Sequence, residues 1–233
     1  MLETFRNNLL WMVLGTSFSV GMGLLIAVLA DRSRFESLYK SIIFMPMAIS
    51  FVGAGVIWKF VYTFRGTGLG IEEIGLLNAI VLALGGESQP WLNIPPWNTL
   101  FLIVIMVWLQ TGFAMVVLSS AIKGVPSELL EAGRIDGATE IQAFFNITIP
   151  YIRGTLITVT TTIVIFSLKL FDIVRVMTGG NNSTNVIANE FYLQRFTYQH
   201  TGRASAIAIV LLLAVTPVII NNLREFNKDR RMF

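Results

Sequence analysis

The chain has 233 residues, 54% of them hydrophobic and 13% charged, with a mean hydropathy of +0.68 and a formal net charge of +3. A soluble domain carries about a quarter charged residues, so this composition belongs to a membrane protein. With no cysteine and only His200 among the histidines, disulfides, thiolate nucleophiles, zinc clusters and histidine metal sites are excluded.

Five uncharged stretches predict membrane helices: residues 9–30, 41–58, about 98–122, 154–168 and 204–223. None shows the alternation of a closed barrel. The first has no cleavage signal and reads as a true span. The fourth is short and rich in threonine (Thr155, Thr158, Thr160, Thr161, Thr162), and is expected to continue through Phe171, carrying Lys169 into a protein-lined environment. Basic residues in short loops favour the cytoplasm. Arg32, Arg34 and Lys40 follow run one, Lys123, Arg134 and Arg153 follow run three, and Arg224, Lys228, Arg230 and Arg231 follow run five, so these three places and the C-terminus are expected inside. The segment 59–97, with Lys59 and Arg65 only near its start, reads as an external loop. An odd number of spans then puts residue 1 outside, which suggests that a further helix precedes this one.

Residues 123–150 read KGVPSELLEAGRIDGATEIQAFFNITIP. Pro126 and Ser127 suit a helix start, with Glu128 and Glu131 where the positive helix end favours carboxylates. Gly137 permits a turn that other residues resist. Thr139 and Gln142 have capping-box spacing, predicting a second helix to about Asn146. The result is a bent helical loop whose apolar face carries Leu129, Leu130, Ile135, Ile141, Phe144 and Phe145.

Glu131, Ala132 and Gly133, then Gly137, then Ile147, Thr148, Ile149 and Pro150 match in spacing the EAA loop of ABC importer permeases. Gly133 for the third small residue and Ile149 for leucine are the departures. Arg34 to Pro46, Gly75 to Asn78, and Phe171-Asp172 followed by Met177 to Gly180, Thr184, Phe191, Tyr192 and Phe196 are similar to the maltose and glycerol-phosphate branch. The chain thus resembles the membrane subunit of a binding-protein-dependent importer of carbohydrate type.

The resemblance implies an all-α integral membrane protein with the type I ABC importer fold, spanning residues 1–233 as one transmembrane domain, five helices visible of six expected. It implies a bacterial inner-membrane location and a coupling helix in 123–150 that docks on an ATPase through Glu131, Ala132, Gly133, Arg134, Asp136 and Gly137. The partners implied are a second permease, expected to differ from this chain, two ATPases and an extracytoplasmic solute-binding protein, with membrane lipid around them and no nucleic acid. ATP and magnesium would sit on the ATPases and no cofactor on this chain. In keeping with that, no Gly-Lys pair occurs, so no P-loop of that form is present, and the run Gly66 to Gly70 reads as an external turn.

Polar residues in the runs mark candidate pathway positions: Asn8, Ser17, Ser19, Ser50, Gln110, Thr111, Ser119, Ser120, Ser167, Lys169 and Asp172. Gln110 and Phe113, with Lys169 and Asp172, are the expected substrate contacts, since a sugar needs hydrogen-bonding groups beside aromatic faces. Trp108, Phe166 and Phe171 are near in sequence. Lys169 and Asp172 could instead neutralise each other across a helical turn. The polar run Asn181 to Thr184 reads as a turn open to the external binding protein. Ion-coupled transporters, which place charges at the midplane in repeated halves, channels and membrane enzymes remain the competing classes. The charges here gather at span ends.

Overall fold

The structure, a computed structural model, describes residues 1–31, 33–65 and 74–229, with residues 221–229 by backbone only. Arg32, the run Gly66 to Gly70, Arg230 and Arg231, and the side chains of Arg224 and Lys228 lie outside the described residues. Among those described, every regular element is helical. Four helices among them are long and apolar enough to cross a membrane, and a bent pair of shorter apolar helices makes a fifth if it counts as one span.

Helix α1, Leu2–Asp31, starts a turn or more before the expected boundary because Asn7 and Asn8, polar as they are, find partners inside the protein. Its 30 residues reach about 45 Å, enough for a hydrocarbon core of about 30 Å. It packs along α5, Trp97–Lys123. A Cβ on Gly23 would stand 2.5 Å from the Ala114 Cβ and 2.9 Å from the Met115 amide nitrogen, so only glycine allows the two helices this close. Helix α5 supplies much of the core: Leu102, Ile105, Met106, Met115 and Leu118 are buried with Trp11 of α1 and Ile163, Ile173 and Val174 from later in the chain.

The second apolar run is broken, where one continuous helix was expected. Helix α2, Glu36–Ala48, and α3, Phe51–Val61, meet at 101°. Pro46 opens a tight 3-10 turn over Met45–Ala48, Ile49 is extended at φ −88° and ψ 137°, and the Ser50 hydroxyl accepts from the Gly53 amide at 3.0 Å to restart the helix. Helix α2 crosses α5 at Gly112, whose absent Cβ would lie 2.6 Å from the Ile43 carbonyl oxygen.

The segment after α3 is structured more than its composition suggested. It holds α4, Leu76–Ala83, and a 3-10 turn, Trp91–Asn93. Asn78, fully buried, organises it: its amide donates to the Thr63 and Gln89 carbonyls, both at 3.1 Å, and accepts from the Trp91 indole at 2.8 Å and the Gln89 amide at 2.9 Å.

After α5 come α6, Ser127–Ile135, and α7, residues 140–151. A second helix ending near Asn146 was expected. Instead α7 runs on through a π turn, Phe144–Thr148, to Tyr151, and a single irregular residue separates it from α8, Arg153–Leu168. The span continues past Phe171 to Met177, as expected, but not as one unbroken helix: α8 stops at Leu168, Lys169 is exposed, and α9, Asp172–Met177, begins afresh. Lys169 and Asp172 therefore share no helical turn, and among the described residues no ion pair joins them. Helix α10, Ile187–Tyr192, and the long α11, Thr201–Asp229, complete the described residues. The described side chains of α11 expose Ile209, Leu212 and Leu213, as a lipid-facing helix would.

Candidate functional site

The loop between α5 and α8 is built by local signals. Helix α6 ends in a Schellman closure: the Ala138 amide donates to the Gly133 carbonyl at 2.9 Å, the Gly137 amide to Arg134 at 3.1 Å, and Gly137 takes φ +83°. Thr139 and Gln142 form the full capping box that starts α7. The two helices are tied by Arg134, whose Nε donates to the Glu140 carboxylate at 2.9 Å, and by Gly133, which leaves room for the Ile147 side chain. Glu131, Ala132, Arg134, Asp136 and Gly137 are exposed and Gly133 is half-buried. Beside them stand apolar side chains that nothing among the described residues covers: Ile135 is 86% exposed, Ile141 71% and Phe145 62%. Apolar groups gathered in this way on a polar loop mark a surface for another protein.

Next to this loop, at the feet of α1, α2 and α5, lies an ion cluster. The Lys40 ammonium donates to Asp31 Oδ1 at 2.5 Å, to Glu36 at 2.6 Å and to the Ser119 hydroxyl. Ser119 donates in turn to Asp31 Oδ1 at 2.7 Å, and Lys123 pairs with Glu36. Sequence reading singled out only Ser119 and the lysines here. Asp31 and Glu36 were missed, although acids one helical turn from basic residues at a span end were the available signal.

The candidate pathway residues fall along one face. Gln110 and Phe113 line a cavity of about 140 Å³ with Ile49, Phe51, Thr162 and Phe166. Lys169 and Asp172 line one of about 200 Å³ with Phe51, Phe166 and Phe171. Phe51 and Phe166 line both, their ring centroids 5.7 Å apart, so the two cavities adjoin. Of the other polar candidates, Thr111 and Ser167 donate to carbonyls of their own helices, Ser50 caps α3 and Asn8 accepts from the Ile187 amide, whereas Ser17 and Ser120 are exposed and the buried Ser19 hydroxyl has no partner among the described residues. Trp108 packs edge-on against Trp58 at 5.7 Å.

At the opposite end from the loop, the Asn181 to Thr184 turn is fastened inward as well as presented outward. Asn98 donates to the Asn182 carbonyl at 2.6 Å, Asn7 to those of Ser183 and Asn185 at 2.6 and 2.9 Å, and Asn189 to Gly179 at 3.1 Å. The side chains of Asn181 and Asn182 remain exposed. Asn7, Asn98, Asn185 and Asn189 were not singled out from sequence.

Residues 19–231 match the family described as binding-protein-dependent transport system inner membrane component. The osmoprotective compounds uptake permease protein GgtC of Synechocystis sp. is 56% identical, over all of this chain and 82% of its own length. The alpha-glucoside transport system permease protein AglF of Rhizobium meliloti is 50% identical, over 97% of this chain and 67% of its own. In fold, the chain is similar to the bacterial alginate ABC transporter solved with alginate pentasaccharide-bound periplasmic protein, at a TM-score of 0.81 with 21% identity, covering 99% of this chain and 78% of that one. It is also similar to the inward-facing MetNI methionine ABC transporter, at a TM-score of 0.67 with 14% identity, covering 96% and 93%.

Proposed function

Because the chain belongs to the binding-protein-dependent transport system inner membrane component family, we propose that it is the permease subunit of an ATP-driven ABC importer for a carbohydrate, a glycoside, oligosaccharide or polyol-like solute. The observation that carries this reading is the segment Glu131 to Pro150, with its family spacing, on a bent loop that exposes Ile135, Ile141 and Phe145. Glu131, Ala132, Gly133, Arg134, Asp136 and Gly137 meet the ATPase there. ATP and magnesium are bound and used by two partner ATPases, and the ATP-driven motion reaches the spans through this loop.

The loop and the C-terminus lie on the cytoplasmic side, and the Asn181 to Thr184 turn on the outer side, facing a solute-binding protein. The other half of the pathway comes from a second, non-identical permease. Substrate passes the face formed by Gln110, Phe113, Lys169 and Asp172. Support for a neutral, hydroxyl-rich solute comes from the aromatic lining of that face, Phe51, Phe113 and Phe166, and from the two relatives, named for uptake of osmoprotective compounds and transport of alpha-glucosides.

The test is purification of the full-length tagged chain in mild detergent from its host, followed by reconstitution. An ATPase and a second permease are expected to accompany it, and the proteoliposomes, given the solute-binding protein, should take up an alpha-glucoside or glucosylated polyol when ATP is added. A chain that purifies alone and transports down an ion gradient would overturn the reading.

A further inference from the structure

Asp31, the last residue of α1, uses only half of its carboxylate. Oδ1 accepts from both Lys40 and Ser119, while Oδ2 is buried with no partner among the described residues. A buried acceptor left without a donor is costly and needs an explanation. The same carboxylate lines a cavity of about 420 Å³ beneath the loop, which Arg134 and Glu140 also line, together with the apolar Val28, Ile122 and Leu130. Arg134 is the one cation among the described residues of that lining. Its guanidinium has five N–H donors in a planar fork, and the contact with Glu140 uses Nε alone. The Arg134–Glu140 pair is itself more than half exposed, so it holds the fork loosely.

We infer that Asp31 is a positioning residue for energy coupling: its free carboxylate oxygen receives the Arg134 guanidinium at one stage of the transport cycle. That contact ties α6 directly to the foot of α1 and, through Lys40 and Ser119, to α2 and α5. Movement of the loop is then passed to three spans at once rather than only along α7 into α8. The inference rests on the reading of α6 as the coupling helix.

The test uses the complete complex in proteoliposomes and reads uptake per ATP hydrolysed. Asp31→Asn and Arg134→Gln should each lower that ratio by about fivefold or more, the lower range of coupling between distant sites. The double variant should be no worse than the worse single one, since both remove one contact. Asp31→Glu, which keeps the charge, should recover most of the ratio. Losses that multiply in the double variant, or an unchanged ratio with uptake and hydrolysis falling together, would overturn the inference and leave Asp31 a structural anchor for Lys40.

Should Asp31→Asn fail to assemble, Val28→Cys with Leu130→Cys reads the same approach across the cavity with both charges in place. Crosslinking must then differ between the nucleotide-free and ATP-bound complexes, and equal crosslinking in both overturns the idea. A wild-type complex that assembles with its ATPases yet imports no glycoside counts against the substrate assignment instead, and the crosslink still decides the role of Asp31.

Discussion

At its first turn α5 holds the rest of the chain through an amide, Asn98, and at its last through a hydroxyl and an ammonium, Ser119 and Lys123. The same division runs through α1, from Asn7 and Asn8 near one end to Asp31 at the other. The amide end is largely buried, and three of its asparagines serve carbonyls of residues in left-handed geometry: Asn189 that of Gly179, Asn98 that of Asn182 and Asn7 that of Ser183. The ionic end is partly wet, and its groups have several exchangeable partners within reach. Amide-to-backbone bonds have one geometry that satisfies them, whereas a lysine among carboxylates can trade one for another. One end is built to stay and the other to be rearranged.

The largest effect that would sharpen this contrast lies in the loop. Glu131→Lys, on an exposed position, should leave the permease in the membrane at normal amounts and abolish most ATP-driven uptake, read as transport against protein level. Wild-type uptake with normal stimulation of the ATPase would remove the loop from the coupling path.

Next comes the amide end. Asn8→Ala strands the buried Ile187 amide, at a cost of about 1–3 kcal/mol. For a chain of this size that amounts to a fall of roughly 2–4 °C in Tm per kcal/mol, to be measured in detergent. No shift would mean that the amides at that end are not holding it. A smaller effect is expected at the ionic end. Lys123→Gln removes an exposed partner of Glu36 while Lys40 keeps its own hold on that carboxylate. Its thermal shift should be less than that of Asn8→Ala and should vanish as salt is raised. A drop as large as at the amide end, insensitive to salt, would break the distinction between the two. The smallest perturbation is a single cysteine at Glu128, beside Glu131, or at Asn181, both exposed. An impermeant thiol reagent should reach the first only from inside and the second only from outside intact cells.

The spans were legible because long apolar runs have few other uses, and the shape of the loop because Gly137 and the Thr139–Gln142 box act within a few residues of themselves. What escaped notice acts over distance. The Asn7 bonds to Ser183 and Asn185 join residues 176 and 178 apart, and no local pattern announces such a pair. The break at Pro46 to Ser50 was hidden by its own hydrophobicity, since Met45, Met47, Ala48 and Ile49 keep the run apolar while the backbone turns. At Lys169 the span does continue, to Met177, and what escaped notice is that the helix is interrupted there. The adjoining of the Gln110 and Lys169 cavities depends on Phe51, which only the bend brings to that face.

The bend between α2 and α3 also says something about the membrane around it. Its first arm is 13 residues, so the corner stands about 20 Å along the helix from the charged foot, a distance shorter than a hydrocarbon core of about 30 Å. A chain that turns through 101° there interrupts its ladder of backbone hydrogen bonds, and hydrocarbon offers nothing to replace them. The corner can exist only where protein or water takes the place of lipid. Read from the bilayer's side, Ile49 and Ser50 mark a gap in the oil.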